Sequence, residues 1–370
     1  MRRVITLTLL LFSSFAQSAD FDKGFDAYNQ GDFKTAYSEW FPLAEQGEAN
    51  AQFNLALMYL YGQGITQDDK QAVYWYRKAA EQGDAIAQRN LGFMYLQGQG
   101  VTQDDKQAFY WFHKAAEQGL PKAQYILGLM YLNGQGVIQD DNQAIYWFRK
   151  AAGQGGVMSQ YYLGFIYFNG QGVTQDDKQA VYWYRKAAEQ GLARAQSNLG
   201  VMYSHGRGVA QDEKQAVYWL HKAAEQGDAI AQHNLGFMNQ NGQDYKQAVY
   251  WYRKAAEQGL ARAQSNLGLM YLHGQGLIQD DKQAVYWFRK AAKQGFAIAQ
   301  HNLGLVYLNG KGVTQDNAQA YMWLSLARHN GFKNTKENFN TLNKLMTPSD
   351  IIEAQEAFKV CLESNYKKCG

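Results

Sequence analysis

Ala87, Leu91, Gly92 and Tyr95 fall three and four positions apart, and so do Ala108, Trp111, Phe112 and Ala115. That spacing is the apolar stripe of an amphipathic helix, so the stretch from Ala85 to Gln118 predicts two short helices. Gly98 and Gly100 break the first of them. Asp104, with Gln107 three residues on, fits an N-cap with a capping-box partner, and Gly119 fits the left-handed residue just past a helix C-terminus. The stretch is a helical hairpin.

The same pattern returns along the chain and can be counted by its tryptophans. Trp75, Trp111, Trp147, Trp183, Trp219, Trp251, Trp287 and Trp323 lie 36 residues apart, except for one interval of 32 before Trp251. Eight copies follow, at 49–84, 85–120, 121–156, 157–192, 193–228, 229–260, 261–296 and 297–331. Paired helices with a period in this range are the signature of a solenoid, in which each hairpin buries its apolar face against its neighbours. The fold class expected is all-α, a solenoid of tandem helix-turn-helix repeats. In the sixth copy Gly242 to Lys246 (GQDYK) stands where others have GxGVxQDDK. Four loop residues are missing there while both helices remain, so the stack is expected to continue through it.

The ends differ from the repeat. Residues 1–19 carry Arg2 and Arg3, an apolar run from Val4 to Leu11, and then small residues. This reads as a secretory signal peptide, too short and wrongly flanked for a membrane span, with cleavage after Ala16, Ser18 or Ala19. No cysteine follows the apolar run, which argues against a lipid anchor, and the mature protein is expected in the periplasm or outside the cell. Tyr28, Gly31, Phe33, Ala36 and Trp40 mark a tighter hairpin over 20–48, turning at Gly31-Asp32, as an N-terminal cap. Residues 332–370 are expected to close the other end with helices over Lys333–Leu345 and Ser349–Glu363, either side of Pro348.

Charge and composition narrow the possible roles. The net charge is +3, and without Arg2 and Arg3 the balance falls to 34 basic against 33 acidic residues. A nucleic-acid partner would call for a basic stripe, so none is expected. Histidines occupy slots held elsewhere by other polar residues, as His113 and His221 do for Arg77, and no pair sits four apart on one helix; a zinc site is not expected. The recurrent aspartates, such as Asp104-Asp105, read as helix caps rather than calcium ligands, and the GxGV loops follow no strand, so they are not phosphate cradles. Their glycines fit positive φ at a helix–helix turn. Aromatic slots such as Tyr110 and Trp111 are expected in the core. Cys361 and Cys369, the only cysteines, are expected to form a disulfide tying the C-terminus to the last helix, consistent with an oxidising compartment.

The repeated motif A-x-A-Q-x-N-L-G-x-M-Y-x-x-G-x-G-V-x-Q-D, followed by A-x-x-W-Y-x-K-A-A-E-Q-G, stands almost unbroken at Ala193–Gly227 and Ala261–Gly295. It resembles the Sel-one-like repeat family, relatives of the tetratricopeptide repeat. The resemblance covers about residues 49–331 and implies a right-handed superhelix whose first helices line a concave face that holds protein partners in scaffolding, envelope, signalling or host-contact roles. Asn239, in place of the usual tyrosine, departs from the pattern.

Comparison among the copies separates framework from variable slots. Leucine fills the Leu91 slot in all eight copies, as tryptophan fills its own. One variable slot holds Phe53, Arg89, Tyr125, Tyr161, Ser197, His233, Ser265 and His301. Another holds Asn50, Ile86, Lys122, Met158, Arg194, Ile230, Arg262 and Ile298. The resemblance places these on the concave face with Phe93, Phe165 and Phe237, which implies a groove for a protein or peptide with aromatic and arginine anchors. The expected role is a non-enzymatic, cofactor-free binding scaffold. The alternative, a cell-wall or β-lactam binder or hydrolase, corresponds to a branch of the family with a cysteine pair in each repeat. This chain has none within its repeats, and it offers no unique cluster of nucleophile, base and oxyanion donors.

Overall fold

The computed structural model describes residues 19–369; the expected signal peptide falls almost wholly outside them. Among the described residues there are twenty α-helices and no strand. By internal contacts the chain divides into two units. One holds the described residues to Leu163 together with Gln171–Thr174, and the other holds Gly164–Gly170 and the chain from Gln175 onward.

In the first unit α1 (Phe21–Asn29) and α2 (Phe33–Glu45) form the opening hairpin, followed by α3 (Ala49–Tyr61) with α4 (Asp69–Glu81), α5 (Ala85–Gln97) with α6 (Asp105–Glu117), and α7 (Pro121–Asn133) with α8 (Asp141–Gly153). The helix α9 (Val157–Asn169) gives its first half to this unit. The second unit continues with α10 (Asp177–Glu189), then pairs α11 (Ala193–His205) with α12 (Glu213–Glu225) and α13 (Ala229–Asn241) with α14 (Tyr245–Glu257). Next come α15 (Ala261–His273) with α16 (Asp281–Ala292), and α17 (Ala297–Asn309) with α18 (Asn317–His329). It ends with α19 (Lys336–Leu345) and α20 (Pro348–Glu363), both packed on α18. Within each unit every hairpin packs on the next, as tandem repeats must to bury faces that one hairpin leaves open.

The helix ends follow the expected chemistry in all but one respect: Gln107 closes no capping box, because the Asp104 N–H donates to the Tyr95 carbonyl at 3.0 Å instead. The Asp104 carboxylate accepts from the Lys106 and Gln107 N–H groups, and Gly98 closes α5 in the left-handed region. The short sixth copy keeps both helices at 13 residues and loses only the loop. The opening hairpin is built the same way. Its cap Asp32, at φ −81° and ψ 72°, matches Asp244 of the short copy at −83° and 71°, whereas caps after long loops sit near Asp104's −150° and 101°. Helix α20 begins one position before the expected Ser349, with Pro348 at its first turn and a reciprocal capping box between Thr347 and Asp350. The preceding helix starts at Lys336 rather than Lys333.

The invariant leucines are buried, with Leu91, Leu127 and Leu267 fully so. The deepest side chain of each second helix is the residue after the tryptophan, such as Tyr76, Phe112, Phe148 or Tyr252. It lies against the glycine that follows the invariant leucine. A Cβ on Gly128 would stand 2.7 Å from Phe148, and one on Gly236 would stand 2.6 Å from Tyr252. The motif's Leu-Gly pair therefore sets how closely the two helices approach. One expectation fails here: Tyr110 is 47 % exposed, not core. It packs edge-on against Trp111 and beneath the Lys114 ammonium, 5.5 Å from the ring centre. Tyr146 and Lys150, and in the second unit Tyr218 and Lys222, repeat the arrangement.

The glutamine of the A-x-A-Q motif joins one copy to the next. Gln124 is buried; its Nε2 donates to the Ala116 carbonyl at 3.2 Å, and its Oε1 accepts from Gln154 Nε2 at 2.9 Å. Gln88 does the same with Ala80 and Gln118, Gln196 with Ala188 and Gln226, and Gln232 with Ala224 and Gln258. The glutamine adds a second bond to a carbonyl at a helix C-terminus that the glycine N–H of the following turn already bonds, as Gly119 does Ala116 at 3.0 Å. At the C-terminal end Cys361 and Cys369 are joined, their Cα atoms 4.6 Å apart, and both are buried. Tyr366 beside them bonds Asn330 through its hydroxyl.

Candidate functional site

The variable slots sit on the first helices of the hairpins, and they are of two kinds. Ile86, Lys122, Met158, Arg194 and Arg262 are exposed. In the slot of Phe53 and Arg89 the larger side chains lie half-buried, several against neighbouring rings, whereas Ser197 and Ser265 are buried. Phe53 packs on Tyr76 at 5.8 Å, His233 on Tyr252 at 5.6 Å, and His301 stacks on Phe332 at 4.1 Å. Burial holds the pKa of both histidines below the ordinary value, and His233 Nε2 meets Asn266 Nδ2 at 3.2 Å. Tyr161 packs edge-on against Tyr162. Phe165 and Phe237 are exposed, and Phe93 is half-buried against Phe112.

Four of these residues come together in the first unit. Arg89 and Phe93 of α5 and Lys122 and Tyr125 of α7 line one cleft of about 660 Å³, with Leu96, Ile126, Leu129 and Met130 as further apolar wall. The volume falls in the range of ligand-binding clefts. Two cations flank an aliphatic and aromatic floor. Arg89 is steadied by donating from Nε and Nη2 to Asn90 Oδ1 at 3.2 and 2.8 Å. Burial, and then the neighbouring Tyr162, push the Tyr125 pKa up to about 12, so its hydroxyl stays a neutral donor. Such a surface suits a segment that offers an apolar side chain beside a carboxylate. Leu96 and Leu129 escaped the reading from copy-to-copy variation because their slots are mostly apolar: the Leu129 slot is apolar in every copy, and the Leu96 slot in all but Ser204 and Gln240. They lie seven residues after Arg89 and Lys122, on the same helix face.

A second cleft, of about 330 Å³, lies in the second unit between α11, α12 and α13. Ser204 and His205 line it, 2.8 Å apart. The Ser204 hydroxyl donates to the Val201 carbonyl at 2.8 Å, an ordinary bond along the helix that leaves no activated nucleophile. Among the described residues no group of three or more His, Cys, Asp or Glu side chains could hold a metal ion, and no helix is long and apolar enough to cross a membrane.

The model of the Sel1 repeat matches residues 49–84, 85–120, 121–156, 157–192, 193–228, 229–260, 261–296 and 297–332. The chain belongs to the Sel1 repeat family. It is 34% identical to a Sel1 repeat protein from Oxalobacter formigenes, with 92% of this chain and 97% of that one covered and a TM-score of 0.68. It is also 34% identical to a protective antigen of uropathogenic Escherichia coli strains with an SLR fold, covering 95% of this chain and 94% of that one at a TM-score of 0.52. No curated protein matches it. Sel1 repeats form scaffolds whose general role is protein–protein interaction. Nothing in these comparisons supports the β-lactam alternative, and both cysteines lie beyond the last Sel1 repeat.

Proposed function

We propose that this Sel1 repeat protein is an exported, non-enzymatic scaffold that holds a protein or peptide partner against the first helices of its repeats, along their concave side. The observation that carries the reading is the α5–α7 cleft, where Arg89 and Lys122 flank Phe93 and Tyr125. The fitting partner segment presents an acidic residue next to a leucine-like or aromatic one. Export is supported by the leader pattern of residues 1–19 and by a disulfide of the kind that persists in oxidising compartments.

The test is affinity capture from envelope extract and from medium with the mature protein and with a triple variant, Arg89→Ala, Phe93→Ala and Lys122→Glu. Lys122 is exposed and Arg89 half-buried, while Phe93 also packs on the buried Phe112, so native helical circular dichroism and an unchanged melting midpoint are required of the variant before its binding is read, with Arg89→Ala/Lys122→Glu as the control that leaves Phe93 in place. The expected result is a partner retained saturably by the parent and lost by the variant. A partner set identical for both proteins would remove the cleft from the binding surface.

A further inference from the structure

In the copies with a long loop, that loop docks on the hairpin before it. Its second glycine is wedged against the first residue of the preceding second helix. A Cβ on Gly136 would stand 2.1 Å from the Asp105 carbonyl oxygen, and in the second unit a Cβ on Gly208 would stand 2.1 Å from that of Asp177 and one on Gly276 2.2 Å from that of Tyr245. In three of them the residue between the two glycines, Gln135, Gln171 or Arg207, sends a donor to the carboxylate beneath. Gln135 reaches Asp105 at 3.4 Å, and Arg207 grips Asp177 with bonds of 3.1 and 2.8 Å. The aliphatic residue after the second glycine, as Val101, Leu277 and Val313 show, packs onto the buried core.

The sixth copy has no such loop. Its turn closes early through Gln243 and Asp244, and no loop of the described chain covers Glu213, the first residue of α12. The consequence is visible in exposure. Glu213 is exposed, whereas its counterparts Asp69, Asp105, Asp141, Asp177, Tyr245 and Asp281 are all partly buried. Where the loop would lie there is instead the 330 Å³ cleft, lined by Glu213, Val201, Leu220, Phe237 and Met238, with Phe237 52 % exposed.

We infer that this vacant seat receives a turn from a partner protein: an arginine between two glycines, followed by an aliphatic residue. The other copies specify each part. The backbone-to-backbone approach admits only glycine at the second position, the carboxylate asks for a charged donor, and the apolar wall asks for a valine-like side chain. Arginine is favoured over glutamine because Glu213 can accept both arms of the guanidinium, as Asp177 does from Arg207. A second copy of this chain is a poor occupant, since its GxG loops from Gly64 to Gly312 are already wedged on their own hairpins. The seat is separate from the α5–α7 cleft and does not depend on the function proposed for it.

The probe is the chain's own docking loop, a capped and fluorescently labelled peptide of residues 205–212 (HGRGVAQD), titrated by polarisation against the full chain. Saturable binding is expected. It should weaken at least tenfold for Glu213→Lys, and equally for a variant in which Gly-Val-Thr-Gln is inserted between Gln243 and Asp244 to restore the loop, both checked for native helicity. Glutamate for arginine in the peptide, or alanine for its second glycine, should abolish it. No saturation by the parent at millimolar peptide, equal binding by parent and loop-restored protein, or indifference to the peptide's arginine would each overturn the inference. A concentration-dependent dimer that the peptide disperses would assign the seat to a second copy and overturn it as well.

Discussion

Replacing Gln124 by leucine tests whether the glutamine pairs hold neighbouring copies together. The side chain is 2 % exposed and makes two bonds, one given to the Ala116 carbonyl and one taken from Gln154. Each neutral bond contributes about 1 kcal/mol net, and the Ala116 carbonyl keeps the bond it accepts from the Gly119 N–H, so it is not left bare. Leucine fills most of the volume, so little of the loss comes from a cavity. The expected destabilisation is about 2 kcal/mol, the two bonds together. Gln154→Ala removes a bond to the same Gln124 and one to the Gly119 carbonyl, but at a site that water can reach, and should cost less than about 1 kcal/mol. Because repeat arrays open locally, hydrogen exchange is a better assay than one global melt. Amides of α6 and α7 should lose protection by roughly 30-fold in Gln124→Leu, and amides of α17 and α18 should not. Equal losses in the two variants, or no local loss in Gln124→Leu, would show that the glutamines merely decorate a junction held by apolar burial.

Two glycines with similar dihedral angles should respond differently to alanine. At Gly119, φ +90°, nothing lies within 4 Å of an added Cβ, and the cost is the left-handed conformation alone, about 1–2 kcal/mol. At Gly136, φ +70°, the added Cβ also meets the Asp105 carbonyl oxygen at 2.1 Å, so the drop in urea midpoint should be clearly larger. Reducing the Cys361–Cys369 bond releases a constraint across eight residues, worth about 2–3 kcal/mol in the chain-entropy account; limited trypsin digestion should then remove α20 first, while the oxidised protein keeps it. The bonds from Arg207, followed by the one from Gln175, hold the Asp177 pKa below its ordinary 3.8. The stabilisation this brings is present above that value and lost as pH falls through the folded pKa. The stability gap between parent and Arg207→Ala should therefore narrow below about pH 4, and a gap constant from pH 7 to pH 2 would refute the pairing.

Much of the architecture was legible in the sequence because a solenoid repeats its physical problem. One hairpin read correctly at Ala85–Gln118 is eight hairpins read correctly, and the deletion before Tyr245 could be placed in a loop because both apolar stripes survive it. Tyr110 was misread for a local reason. Tyr110, Trp111 and Phe112 are consecutive, and a helix turns about 100° per residue, so all three cannot face one core. Phe112 and Trp111 go inward, and the tyrosine is left outside under its lysine. The α5–α7 cleft was half legible: variation among copies pointed to Arg89, Lys122 and Tyr125, while walls such as Leu96 and Leu129, in mostly apolar slots, looked like framework. Glu213 could not be picked out at all, because its exposure depends on which segment of the following copy lies over it. No pattern within its own copy records that.

The motif glutamines give this chain a property that compact domains lack. Gln232 donates to the Ala224 carbonyl across the seam that opens the block with the short loop, and Gln264 donates to the Ala256 carbonyl across the seam that closes it, the same donor and acceptor as Gln196 and Ala188 one seam earlier. A block duplicated or excised by recombination, such as residues 121–156, would bring to its new seam the chemistry that the old one had. Length can thus change by whole blocks with no fresh interface to be invented, and the interrupted block at 229–260 shows that even an imperfect insert is accepted into the series.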